Sequence, residues 1–325
     1  MNSFNVLILC AGRRVELIQS FQKAAKRLNI NSKIIAGDYS NTAAALYMAD
    51  QACKLPLAHD SSYITTLIDV CNRENIALII PTIDVDLLIL ARNKRMIEEN
   101  TNAKVLIADT SVVEICRDKI KTQEFLQANS FGAPKMYTDS EVTNNPVEFP
   151  LFIKPKSGSA SINTFIVNNS DEFKVYRNIV EEPIIQEFIE GDEYTIDVFL
   201  DWHSNVITTV PRLRLETRAG EISKGKIIKD PEIINDVNRL MDVLKPIGHI
   251  TVQLMKTKQG IKYIEINPRF GGGAPMSIQS GADSCENLFK LLKGESLKYN
   301  EDYTEDLTFV RFDQSICIDY KNDEC

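Results

Sequence analysis

The chain has 325 residues, 45 acidic against 37 basic, and a formal charge of -8, so it offers no basic footprint for DNA or RNA and the reading is of no nucleic-acid partner. No apolar run approaches the roughly 20 residues of a membrane span, and the length allows two or three lobes around a sizeable core. Seven cysteines, an odd number without CxxC spacing, and three histidines far apart in sequence point to reduced thiols and give no support to a zinc site.

Residues 1–110 read as alternating strand and helix. Asn5 to Leu9 follows no basic region and is a first buried strand, as in a cytoplasmic protein without a membrane segment. Arg13 to Leu28 carries Val15, Leu17, Ile18, Phe21, Ala24, Ala25 and Leu28 at helical spacing, and Ser32 to Ala36 is a second strand. A helix at Ser62 to Asn72 leads to the strand Ile76 to Ile80, and another helix precedes Lys104 to Ala108. This order predicts an α/β, Rossmann-like parallel sheet. The dinucleotide fingerprint is missing, however. Cys10-Ala-Gly-Arg-Arg14 has one glycine where that phosphate loop wants three, which leaves Asp38 weak as a ribose ligand.

From about Asp109 the texture changes. Helix patterns around Ser111 to Ala128 give way to turns at Gly132-Ala-Pro134 and Asn144-Asn-Pro146 and to strands at Leu151–Pro155, Asn163–Val167, Ile184–Phe188, Tyr194–Leu200, Val206–Pro211, His249–Lys256 and Lys262–Asn267. Helices at Asp171–Val180 and Pro231–Leu244 interrupt them, predicting an α+β architecture. The run Phe309 to Cys317 is strand-like and has no assigned role.

The chemistry concentrates at Glu265-Ile-Asn-Pro-Arg269. Strand alternation puts Glu265, Asn267 and Arg269 on one face, and oxygen ligands beside a fixed cation suit a magnesium-bridged triphosphate; a solvated edge strand would look the same. A turn at Lys258-Gln-Gly260 would pair His249–Leu254 with Tyr263–Asn267 and bring Gln253 beside Glu265 as a third oxygen ligand. Lys154 ends the apolar run Phe149 to Pro155, and a charge closing a buried strand needs a partner. Lys119 lies on a predicted helix, where a surface role is the simpler reading. Ser157, Gly158, Ser159 and Ser161 make a small-residue loop able to meet phosphate oxygens, or a plain hairpin turn. Gln186-Glu-Phe-Ile-Glu-Gly191 could offer a purine main-chain hydrogen bonds and an apolar wall, with Glu193 on a ribose; a β-turn is the alternative.

In this order the pieces resemble the ATP-grasp superfamily, and most closely single-module proteins like the carbamoyl-phosphate synthase large subunit. The resemblance covers essentially the whole chain. It implies a pre-ATP-grasp domain over residues 1–110, a small lobe over 111–190 and a large lobe over 191–325. It further implies that ATP phosphates meet Lys119 and Lys154, that Ser157 to Ser161 is a lid, and that Gln186, Glu187, Phe188 and Ile189 form the adenine hinge. Glu193 matches the ribose carboxylate, Gln253, Glu265 and Asn267 match ligands for Mg²⁺ or Mn²⁺, and Arg269 matches the residue steadying the transferred phosphate. The lid is poorer in glycine than many members, and the chain has room for one module only, so carbamoyl phosphate is not the expected product.

The activity implied is ATP-dependent ligation of a small-molecule carboxylate to an amine, with a homodimer as the assembly common in the family. A carboxylate clamp is read from Arg212, Arg214, Glu216 and Arg218, which alternate on one strand face, with Gly271 and Gly272 giving backbone access to a ligand. A solvated strand with internal salt bridges is the alternative there. The competing functions are a non-catalytic ATP-binding regulatory protein of the same fold and a Rossmann-type oxidoreductase.

Overall fold

The structure is a computed structural model that describes residues 3–156, 162–218 and 220–318. Strands β1 (Asn5–Leu9), β2 (Ile34–Asp38), β3 (Gln51–Lys54), β4 (Ile76–Pro81) and β5 (Lys104–Val105) form a parallel sheet in the order β3-β2-β1-β4-β5. Helices α1 (Val15–Arg27), α2 (Tyr63–Arg73) and α3 (Asp84–Asn100) connect them. Near-continuous apolar strands such as β1 and β4 fit a sheet covered on both faces. The winding reverses between β1 and β4, which makes the carboxyl ends of those two strands a topological switch point. The sequence reading missed β3, whose four residues bury only Cys53 and carry little periodicity. Asp38 is not free for a ribose, because its carboxylate accepts the backbone N–H groups of Gly12 at 2.8 Å and Ser40 at 2.9 Å.

Next come α4 (Thr110–Arg117) and α5 (Lys119–Ala128). The helix patterns expected around Ser111 to Ala128 form these two helices, separated at Asp118, which is extended (φ -104°, ψ 113°) and whose carboxylate caps α5 by accepting the Ile120 and Lys121 N–H groups. Lys119 therefore starts a helix instead of riding on the flank of one. A small antiparallel sheet follows, β6 (Met136–Tyr137), β7 (Leu151–Pro155), β8 (Phe165–Val167) and β9 (Pro183–Glu187), in the order β6-β9-β7-β8 with α6 (Asp139–Asn144) and α7 (Ser170–Ile179). Leu151, Ile153, Val167, Phe173, Val180 and Ile185 give this lobe its own core.

The largest sheet is antiparallel, β10 (Asp192–Leu200), β11 (Val206–Arg218), β12 (Glu221–Ile227), β13 (Gly248–Thr257), β14 (Gly260–Asn267) and β15 (Thr308–Val310), ordered β14-β13-β10-β11-β12-β15. Helices α8 (Pro231–Leu244), α9 (Ala274–Gln279) and α10 (Ser284–Leu292) pack around it. Three expectations are corrected here. The strand expected over Val206–Pro211 runs on to Arg218, β12 was not foreseen, and the C-terminal run is strand only over Thr308–Val310. No helix among the described residues is long and apolar enough to cross a membrane.

Two hydrophobic clusters weld the parallel sheet to the largest one. Leu7, Leu67 and Leu90 share a cluster with Ile196, Val252 and Leu240, while Phe21 packs edge-on against Phe270 and Phe289 with centroids 6.1 and 6.0 Å apart. The small sheet, with its separate core, joins this body at two crossings. At one, a Cβ on Gly132 would lie 2.1 Å from the Ile261 carbonyl oxygen; at the other, a Cβ on Gly191 would lie 2.4 Å from the Lys256 carbonyl oxygen. Both contacts are with the β13–β14 hairpin. Gly132→Ala should therefore cost about 1–3 kcal/mol through overpacking, read as a lower denaturation midpoint; an unchanged midpoint would mean that the two backbones separate freely.

Candidate active site

Between the small sheet and the largest sheet lies a cleft of about 780 Å³. Its floor is the β13–β14 hairpin, whose register sets Gln253 opposite Glu265 and Thr251 opposite Asn267. The expected neighbourhood of Gln253 and Glu265 is thus present, and with Asn267 both line the cleft. Gln253 and Glu265 are half-buried and Asn267 is buried, so the three oxygen donors face the cleft from a rigid sheet. Among the described residues no group of three His, Cys, Asp or Glu side chains could hold a metal. This trio instead combines one carboxylate with two amides, a hard-oxygen set that fits Mg²⁺ when phosphate oxygens complete its shell.

Arg269 follows directly. Its Nε and Nη2 form a fork on the Asp84 carboxylate, 2.9 and 3.0 Å away, and Nη2 also donates to Asn267 Oδ1 at 3.3 Å. Asp84 opens α3, the helix after β4, so the cation beside these three oxygen-bearing side chains is aimed by a residue 185 positions earlier.

Two lysines enter from the opposite wall. Lys154 projects from β7 on the same side as Phe152, while Leu151 and Ile153 point into the small-lobe core. Burial pushes its ammonium down to about 8, with Lys119 adding to the effect and Glu265 opposing it. Lys119 donates to the Lys156 carbonyl at 3.1 Å; burial lowers its ammonium too, against the pull of Glu265, Asp118 and Asp84. The loop residues Ser157, Gly158, Ser159 and Ser161 lie outside the described residues.

The predicted purine segment lines the cleft from Gln186 through Ile189. Two of its side chains are already engaged. Gln186 is buried and donates to Gln123 Oε1 at 3.2 Å, and Glu187 accepts the Lys135 N–H at 2.9 Å. Phe188 donates its N–H to the Pro150 carbonyl at 3.3 Å. Glu193, further along, lies 3.3 Å from Arg214 Nε.

The proposed arginine face is only partly realised. Bulges between Arg214 and Glu216 and between Glu216 and Thr217 break the alternation, so Arg212 and Arg214 line the cleft while Glu216 and Arg218 lie in solvent. Arg212 is also first a structural residue. It is 1 % exposed and its Nη2 lies 2.9 Å from Asp197, which also accepts from Ser277 at 2.6 Å and faces His249 Nε2 at 3.3 Å. Burial alone would raise the Asp197 carboxyl, but Arg212, followed by His249 and Ser277, holds it well below the usual carboxylate range. Breaking such a buried pair typically costs about 3–5 kcal/mol. Gly271 and Gly272 line the cleft, each backed closely by a side chain, Thr251 Oγ1 behind the first and Arg14 Nη1 behind the second.

Arg14, the segment Thr82 to Val85, and Glu221 also line the cleft and were missed in the sequence. Arg14 follows β1 and Thr82 follows β4, the two strands flanking the switch point. The rule that open α/β sheets bind ligands at that place would have found them.

Residues 6–106 match the PylC-like N-terminal domain family and residues 116–273 match the ATP-grasp domain family. The chain is 26% identical over 281 residues to a carbamoyl-phosphate synthase of Methanobrevibacter smithii, an alignment covering 80% of this chain and 74% of that one. It is 26% identical over 200 residues to the 3-methyl-D-ornithine–L-lysine ligase of Methanosarcina mazei, covering 61% of this chain and 51%, about half, of the ligase. In fold it matches an N5-carboxyaminoimidazole synthetase from Staphylococcus aureus solved with ADP, with a TM-score of 0.72, 14% identity, and coverage of 92% of this chain and 80% of the other. The ordered cleft residues and these matches agree: the chain belongs to the ATP-grasp superfamily, with a PylC-like N-terminal domain ahead of its ATP-grasp domain.

Proposed function

We propose that the protein is an ATP-dependent carboxylate–amine ligase, using Mg²⁺ or Mn²⁺, acting on small molecules in the cytoplasm, with a homodimer as its assembly. One observation carries the reading: oxygen donors from adjacent strands and two buried-to-half-buried lysines from the facing lobe converge on a single cleft. The relatives' names, which include ligases joining amino acids, support it. No relative supports a non-catalytic role, and the missing fingerprint with a committed Asp38 speaks against a dinucleotide.

In this reading the triphosphate lies along Lys119 and Lys154, the base rests on the backbone from Glu187 to Ile189, and Glu193 meets the ribose. Gln253, Glu265 and Asn267 would hold the metal, whose positive charge would offset that of the phosphates. Arg269, kept in place by Asp84, faces the γ-phosphate. A substrate carboxylate oxygen attacks that phosphorus, ADP leaves, and an acyl phosphate results. The amine then attacks the acyl carbon and inorganic phosphate leaves with the bonding pair. Preorganised cations lower the barrier because they stabilise charge without reorganising.

Glu265→Ala should reduce substrate-stimulated ADP release on the order of a hundredfold or more; unchanged turnover would remove Glu265 from the metal set. A second expectation concerns protons. In the free protein Lys154 titrates at about 8, and a triphosphate beside it favours the charged form and raises that value. ATP binding should then take up protons at and above about pH 8 and weaken as pH rises further. Calorimetric titration in buffers of different ionisation enthalpy measures the uptake, and its absence would place the phosphates away from Lys154.

A further inference from the structure

At the end of the cleft formed by the Gly271–Gly273 turn, guanidinium groups from separate elements crowd the backbone. A Cβ on Gly272 would lie 2.7 Å from Arg14 Nη1, and one on Gly273 would lie 2.5 Å from Arg212 Nη1. Bare glycine is what lets both cations reach this turn. Their donors are incompletely used: Nε and Nη1 of Arg212 and Nε of Arg14 are buried without a hydrogen-bond partner among the described residues. An unmet buried donor beside a positive charge is costly, and a bound anion is the group that would satisfy it.

One carboxylate is already there. Glu221 of β12 lies 3.3 Å from Arg14 Nη1, 3.3 Å from Arg311 Nη1 and 3.7 Å from Arg13 Nη2, so it answers three guanidiniums at once, while Glu16 approaches only Arg311, at 3.7 Å. Glu221 lines the cleft, and it hydrogen-bonds Arg14 through one oxygen at 3.3 Å, the long end of the range, instead of as a fork. Arg269, by contrast, is fully engaged by Asp84 and sits on the metal-ligand side of the turn.

We propose that Arg14 and Arg212, on either side of the Gly272–Gly273 turn, form a subsite for a second carboxylate, one that is not activated, and that Glu221 occupies Arg14 until it arrives. This rests on the ligase reading and narrows it. One of the two joined molecules carries a carboxylate beyond the reacting group, as an amino acid or a dicarboxylic acid does. The N-terminal domain, through Arg14, then takes part in choosing the substrate.

Malonate, a small dianion without an amine, is the probe. Calorimetric titration should show it binding Glu221→Gln at least tenfold more tightly than the unmodified protein, because the internal competitor is gone. In the double variant Glu221→Gln with Arg14→Met that gain should vanish. Equal malonate affinity in the unmodified protein and Glu221→Gln, or a gain that survives loss of Arg14, overturns the subsite. The ATP-induced thermal shift, which reads the opposite end of the cleft, reports that each variant is folded; if Arg14→Met is not, Arg14→Gln replaces it under the same criterion. ADP release across pooled amino acids is measured in parallel. Its absence alongside the malonate pattern would remove the ligase reading while leaving the anion subsite.

Discussion

Everything at the cleft hangs on the register of one β-hairpin. Pairing of β13 with β14 decides that Gln253 stands opposite Glu265, and the same two strands carry the carbonyls of Lys256 and Ile261 on which both crossings to the small lobe rest. A slip of one residue would turn the oxygen donors to the other face and shift the seats of both glycines. The turn at Gly260 (φ +111°) fixes that register locally, and the strands' apolar faces, buried in the shared core, fix it globally. The placement of these oxygen-bearing side chains and that of the small lobe are therefore consequences of a single pairing.

The electrostatics show how an acidic protein keeps several cations in one cleft. Three of the cations in the cleft are held there in different ways. Lys154 loses solvation to burial; Lys119 shares its charge with a main-chain carbonyl; Arg269 is oriented by a carboxylate from another domain. Arg212 has a buried, multiply supported partner in Asp197, which is satisfied in turn by Ser277 and His249. Burial of Lys154 thus costs stability, while Arg212 is anchored in the fold through its pair with Asp197.

How far the sequence could be read depended on whether a signal was local. The Gln253–Glu265 pairing was legible because alternation ran up to both residues and a glycine turn joined them. Lys154 was legible because a charge closed an apolar strand. The break at Asp118 was not, since an aspartate inside a helical pattern looks the same whether it caps a new helix or decorates an old one. Strand β12 hid behind two lysines and a glycine, and the two bulges in β11 left no mark on the alternation of arginines. Contacts such as Arg269–Asp84 and Arg14–Glu221 join residues 185 and 207 positions apart, and nothing local in a single sequence announces them. The same limit hid the N-terminal wall of the cleft, although strand order alone would have pointed there.

The sharing of one hydrophobic cluster by Leu7, Leu90, Ile196 and Val252 separates two ideas of a domain. Family matching divides the chain near residue 110, because inheritance conserves segments. Packing draws its boundary elsewhere, around the small lobe, because water sees only exposed surface. A recombination event that exchanged the first segment would have to conserve the buried face it presents to the second and the carboxylate that aims Arg269. The evolutionary module and the cooperative unit in this protein do not coincide.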